Sequence, residues 1–150
     1  MKKFHFRLET LLKFRKMQEE QAQIKLAEAN TRLQQEKAIL ADFEAQLLNT
    51  LVLLGKEQET SLTIDTLKSY SLYIDKIKRD IATQQERVEK AVAEHQECLR
   101  AMEFAMKQRK LVDNLKDKRL QQYNEELLQE EQKILDELGT QAFMRDKESV

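Results

Sequence analysis

A leucine recurs at nearly every seventh residue from Leu12 to Leu54, in a chain of 150 residues with no proline and only two glycines. With Leu12 as heptad position a, the later a positions are Glu19, Leu26, Leu33, Leu40, Leu47 and Leu54, so six of seven are leucine. A repeat of 3.5 residues keeps one helical stripe facing a partner, which makes this ladder a seam for helix-on-helix packing. The d positions are Leu8, Arg15, Ala22, Ala29, Glu36, Phe43 and Thr50, a weaker set that leaves the seam marginal without partners. Only glycine remains to mark where helices end, because it adopts the left-handed conformation without a Cβ clash. Gly55 follows the ladder, and Gly139 follows a second apolar-periodic run.

The sequence therefore predicts an all-α fold, a long two-helix antiparallel coiled-coil hairpin forming a single unit over residues 1–150. Helix one runs from about 4 to 54, the turn over 55–63, helix two from about 64 to 138, and 139–150 is a frayed tail. Thr63 caps the second helix, Asp65 suits the positive end of its dipole, and Leu62 staples onto Leu67. The second stripe reads Leu67, Tyr70, Ile74, Ile77, Ile81, Gln84 and Val88. A four-residue step, a stutter, then carries it to Val92, His95, Leu99, Met102, Met106, Arg109, Asp113 and Lys116. At ~1.5 Å per residue the helices measure roughly 75 and 110 Å. Folding about Gly55 pairs residues whose numbers sum to about 117. Leu40 then meets Ile77, Leu26 meets Ala91 or Val92, and Leu12 meets Ala105 or Met106. Pairing ends near Asp113, so helix two overhangs the open end with Leu120, Tyr123, Leu127, Ile134 and Leu138 still apolar. A helix draws most of its stability from packing, so the overhang calls for a partner.

Composition excludes most chemistry. Charged residues make up 35% of the chain and tryptophan is absent, the profile of a coiled coil rather than a globular core. The net charge of −1 selects no partner globally. The single Cys98 rules out an intramolecular disulfide and fits a reducing compartment. No signal peptide is read at the N-terminus, and Leu47–Leu54 is too short and interrupted to span a bilayer. His5 and His95 lie far apart with no acidic or thiol cluster to complete a metal site. No phosphate loop, nucleophile triad or concave pocket is legible, so no catalytic, cofactor or metal residue is assigned.

Two apolar surfaces exceed the seam. Near the turn, Leu48, Val52, Leu53, Leu72 and Tyr73 lie off the stripe, either broadening the seam at the bend or forming a docking patch. At the open end, Phe4, Phe6, Leu11 and Phe14 join the overhang, as a contact surface or as a self-capping cluster. The segment 1–16 holds six Lys/Arg against one acid, Glu9, and the register brings it beside the basic run Lys107–Arg119. Nucleic acid and a membrane surface are possible counterparts, but no stacking residues or reading helix support the first. An amphipathic basic segment alone supports the second. An acidic protein groove fits better.

The ends also carry motifs. Phe4-x-Phe6-Arg7-Leu8-Glu9-x-Leu11-Leu12-Lys13-x-Arg15, then Glu19-Glu20 and Leu26-Ala27-x-Ala29, open the chain. Glu131-Gln132-Lys133-x-Leu135-Asp136-Glu137-Leu138, then Phe143, close it. In these residues and in its hairpin layout the chain resembles the FliJ family of the bacterial flagellar export apparatus. The resemblance implies a non-enzymatic, cytoplasmic component of type III export, peripherally associated with the inner-membrane apparatus and without a cofactor. It implies a stalk similar to the gamma subunit of rotary ATPases, and the complementary register about Gly55 with its short turn predicts a monomer in isolation. Its partners would be the hexameric export ATPase FliI, the export gate FlhA and export chaperones. For the ATPase ring, Phe4, Phe6, Arg7, Leu11, Leu120, Tyr123, Leu127 and Leu138 are the candidate contacts at the open end. For the gate, Leu72 and Tyr73 are the candidates at the tip. A purely structural coiled-coil spacer or dimerisation arm is the alternative, and export-ATPase stimulation separates the two.

Overall fold

The protein's structure, a computed structural model, describes residues 2–149. Met1, which opens the basic segment, and Val150, which ends the tail, lie outside the described residues. Two helices account for nearly all of it: α1 (Glu9–Thr60) of 52 residues and α2 (Ile64–Glu148) of 85 residues. They pack against each other as an antiparallel coiled-coil hairpin with no strand among the described residues, and α2 overhangs the open end. The chain divides into two compact units, one combining Met1–Glu19 with Ala105–Val150 and the other comprising Glu20–Phe104.

The seam of α1 follows the leucine ladder: every a and d position from Leu8 to Leu54 is buried or half-buried. Leu12, Ala29, Leu33 and Thr50 are the most enclosed. Thr50 is accommodated because its hydroxyl donates back to the Gln46 carbonyl at 2.7 Å.

α1 does not stop at Gly55. It continues to Thr60, no described residue has positive φ, and open space surrounds the position a Gly55 Cβ would take. Glycine costs only about 1 kcal/mol inside a helix. That cost is offset because the stripe goes on: Leu54, Glu57 and Tyr70 are half-buried, and the Glu57 carboxylate beside the Tyr70 phenol pushes that phenol's pKa up. The turn is therefore Ser61–Thr63 rather than 55–63. Thr63 caps α2 as its sequence position indicates, its Oγ1 accepting from Thr66 N at 3.2 Å and its carbonyl from Leu67 N at 3.0 Å. Leu67 itself is 42% exposed, and Thr66 takes the seam position.

Moving the turn moves the register. Within Glu20–Phe104, Arg32 pairs with Glu94 at 2.5 Å, and Gln84 Nε2 donates to the Glu36 carbonyl at 2.9 Å and to its carboxylate. In the other unit Glu9 pairs with Lys116 at 2.9 Å, Glu19 with Arg109, and Leu12 shares a core with Val112. Paired numbers sum to about 124, one heptad beyond the register read from Gly55.

The stutter is also absent. Ala91 and Val112 are buried and Cys98 and Ala105 half-buried, whereas Leu99 is 39% exposed. The stripe runs unbroken through Val88, Ala91, His95, Cys98, Met102, Ala105, Arg109 and Val112 at alternating three- and four-residue steps. Small residues occupy the seam here because the register sets Leu33 at the level of Ala91 and Leu26 at that of Cys98. Large against small fills such layers without voids.

Candidate partner-docking surfaces

At the N-terminus, residues 2–8 are not helical, so α1 begins at Glu9 and not near Phe4. The segment closes one side of a small core: Phe6, Leu12 and Val112 are buried, with Phe4, Leu8, Leu11 and Leu115 packed around them. Phe6, at 4% exposure, is therefore a core residue and cannot meet a partner in this conformation. Phe4 leans on Tyr123 with ring centroids 5.5 Å apart, and the Tyr123 hydroxyl donates to the Lys2 carbonyl at 2.7 Å. Of the two readings of the open-end aromatics, self-capping holds for Phe4, Phe6 and Leu11. Phe14 is the exception at 46% exposed.

The expected unpaired stretch shortens accordingly. Tyr123 is half-buried because the N-terminal strap reaches it through Phe4 and the Lys2 carbonyl, and Leu127 is half-buried as well. Leu120 is partly exposed at 38%. Beyond Leu127 every described residue is exposed, including Leu128, Ile134, Leu135, Leu138, Phe143 and Met144. α2 nevertheless stays helical past Gly139 to Glu148, where a frayed tail was expected from residue 139.

Charge at this end is partly compensated inside the unit. Lys116 is held by Glu9, and that ammonium is the main reason the Glu9 carboxyl lies below its ordinary 4.5. Arg109 bridges Glu19 and Asp113, and the Glu19 hydrogen bond is the first cause that raises its pKa. Arg15 donates from Nη1 to Gln18 at 3.0 Å, while its Nε is buried without a partner among the described residues. An open groove of about 570 Å³ gathers Lys2, Lys3, Arg119, Tyr123 and Glu126. Arg7 is exposed. The basic patch read from the sequence thus survives as Lys2, Lys3, Arg7 and Arg119, without Lys116.

Around the turn, Leu48, Val52, Leu53, Leu72 and Tyr73 are all exposed, joined by Leu51 and by Ile64 at 74%. Leu72 and Tyr73 stand in the open at 71% and 47%. Such a group of large apolar side chains is what a docking patch requires. The same leucines make α1 apolar enough, by length and composition, to count as a candidate membrane span, with an 18-residue window of mean hydropathy 1.4. The sequence reading missed this by weighing the eight residues Leu47–Leu54 alone.

No group of His, Cys, Asp or Glu suited to a metal ion occurs among the described residues. His95 and the free Cys98 are half-buried seam residues. What sequence reasoning missed is the set of polar seam contacts, Gln84 to Glu36 and Arg109 to Glu19, since heptad counting scores them only as imperfections.

No curated protein sequence matches the chain. A solved structure described as a YscO homolog, CT670, from Chlamydia trachomatis is similar at 20% identity with a TM-score of 0.51. The match covers 99% of this chain and 100% of that one, a likeness of fold. The family model for the flagellar FliJ protein matches residues 4–148. With that match spanning both terminal motifs and the whole hairpin, the chain belongs to the FliJ family and is a coiled-coil component of bacterial flagellar type III export.

Proposed function

We propose that the protein is a non-enzymatic stalk of the export apparatus, cytoplasmic and peripherally held at the inner membrane. Its open end engages the FliI ATPase ring, promoting ring assembly and ATP hydrolysis. Its tip docks on the gate protein FlhA and so links ring to gate, and the hairpin assists export chaperones. The observation that carries this reading is the bare apolar ridge on α2 beyond Leu127, where Ile134, Leu135 and Leu138 are all more than half exposed. Burying a large aliphatic side chain contributes about 1.5–3 kcal/mol, so two of them decide whether a transient complex forms. Leu120, Tyr123 and Leu127 extend the ridge toward the basic groove, with Phe4 against the Tyr123 ring and the exposed Arg7 in the same N-terminal segment. Phe6 and Leu11 support it from within the core.

The test is ATPase rate against stalk concentration. Leu135→Asp with Leu138→Asp abolishes stimulation of FliI while leaving the hairpin's melting unchanged, since both positions lie outside the paired region. Full stimulation by the double variant would place ring contact elsewhere. For the tip, Leu72→Asp with Tyr73→Asp weakens gate binding at unchanged helicity; undiminished binding removes the tip from the model. In dilute solution the hairpin is a monomer.

A further inference from the structure

The bare part of α2 has an internal symmetry that the ring-docking reading does not use. Its exposed helical run extends from Leu128 to Glu148, and the middle of that run is Leu138. At 100° per residue, Leu127, Glu131, Ile134, Leu138 and Arg145 fall along one line, flanked by Leu128, Leu135 and Ala142. Two charges interrupt this stripe, Glu131 and Arg145. They are opposite in sign, share a heptad position, and stand one heptad on either side of Leu138.

We propose that this face binds a second copy of the same chain, antiparallel, with the two-fold axis at Leu138. In that arrangement Leu138 meets Leu138, Ile134 meets Ala142, and Glu131 of each copy meets Arg145 of the other. A two-fold axis makes the surface self-complementary, so each favourable pair occurs twice. Parallel association instead sets Glu131 against Glu131 and Arg145 against Arg145 at the centre of an apolar stripe, which like-charge repulsion disfavours. The length also fits. The overlap ends at Leu128 of one copy and Glu148 of the other, so neither copy's packed region, whose last half-buried residue is Leu127, is driven into its partner. An overlap of about 30 Å is short for two free helices to form together. Here the helices are continuations of one already packed, so less ordering entropy opposes association. The result is a weak, concentration-dependent dimer that covers Ile134, Leu135 and Leu138.

The experiment is sedimentation equilibrium of the full chain between about 10 µM and about 1 mM, the range of weak association. The wild type passes from monomer to dimer across it. Glu131→Arg alone and Arg145→Glu alone each create two like-charge pairs and move the transition to about tenfold higher concentration. An equimolar mixture of the two variants recovers wild-type association, because each variant's changed charge then faces a complementary one. All positions are exposed, so circular dichroism of each variant should match the wild type. A wild type that stays monomeric at the highest concentration overturns the proposal. So do single variants that associate undiminished, and a mixture that fails to recover. Because the charge variants leave Leu135 and Leu138 in place, their FliI stimulation is read separately, and failure of one reading does not imply failure of the other.

Discussion

Replacing Gly55 by alanine reports where α1 ends, because the two candidate conformations give opposite signs. In the structure Gly55 is helical with φ negative, and nothing lies within 4 Å of the added Cβ. Alanine is favoured over glycine there by about 0.8–1.0 kcal/mol, through lower backbone entropy in the unfolded chain and a better helix former in the folded one. For a chain of this size that raises the melting temperature by about 2–4 °C. Had Gly55 closed the helix in the left-handed conformation, the Cβ would cost about 1–2 kcal/mol and lower it by a similar amount. Thermal unfolding followed at 222 nm resolves the two. Gly139→Ala is the control: it too is helical and open, but it lies in the unpaired part of α2. It should add helicity without shifting the main transition. A Gly55→Ala variant that melts at or below the wild type refutes the continuous helix and, with it, the placement of the turn at Ser61–Thr63.

Other outcomes follow from the open-end unit. Leu12→Ala empties the most enclosed position, 1% exposed between Phe6 and Val112, and lowers stability by about 2–5 kcal/mol in urea titration. Phe14→Ala, at an exposed site, stays within about 0.5 kcal/mol of the wild type. Arg15→Leu raises the denaturation midpoint, because an unpartnered buried N–H costs about 1–3 kcal/mol and a seam leucine restores apolar contact. Lys116→Met is destabilising at pH 7 and converges on the wild type in acid. The lowered Glu9 pKa means that the pair's contribution is complete above the ordinary 4.5 and is lost as pH falls through the folded value. A difference in melting temperature that persists undiminished at about pH 2 removes the ion pair as its cause.

Much of the hairpin was legible because it rests on patterns with a single physical reading. Leucines at a positions from Leu12 to Leu54 require a facing helix, and Thr63 followed by Asp65 marks a helix start whatever lies before it. The features that escaped depend on competition. Gly55 signals a stop only when nothing beyond it packs; Glu57 and Tyr70 do pack. Gly139 likewise lies in a helix that runs on to Glu148. Phe6 resembles a surface anchor in an exposed basic segment, yet residues 2–8 fold over Val112 and bury it. Leu99 reads as a seam residue by its hydrophobicity, yet it is 39% exposed and the smaller Cys98 stands in the seam at the level of Leu26, while Val92 is half-buried beside the buried Ala91.

The one-heptad difference in register has a deeper cause. Sliding antiparallel helices by seven residues returns every a and d position to the seam, so apolar matching is nearly unchanged. Leu47 lies at the level of Ile77 in the observed register, and Leu40 takes that place in the shorter one. Leucine periodicity cannot separate them. The polar seam residues can. At a sum of 117, Glu36 falls at the level of Ile81 and Arg109 at that of Leu8, so each enters an apolar layer without its partner. In the observed register Gln84 reaches the carbonyl and carboxylate of Glu36, and Arg109 reaches Glu19 across the seam. A buried polar group left unpaired costs about 1–3 kcal/mol, more when it is charged. Two such groups therefore outweigh any small difference between leucine layers. The residues that weaken the seam when counted as heptad faults are the ones that fix which heptad faces which, as a single polar residue does in coiled-coil pairing generally.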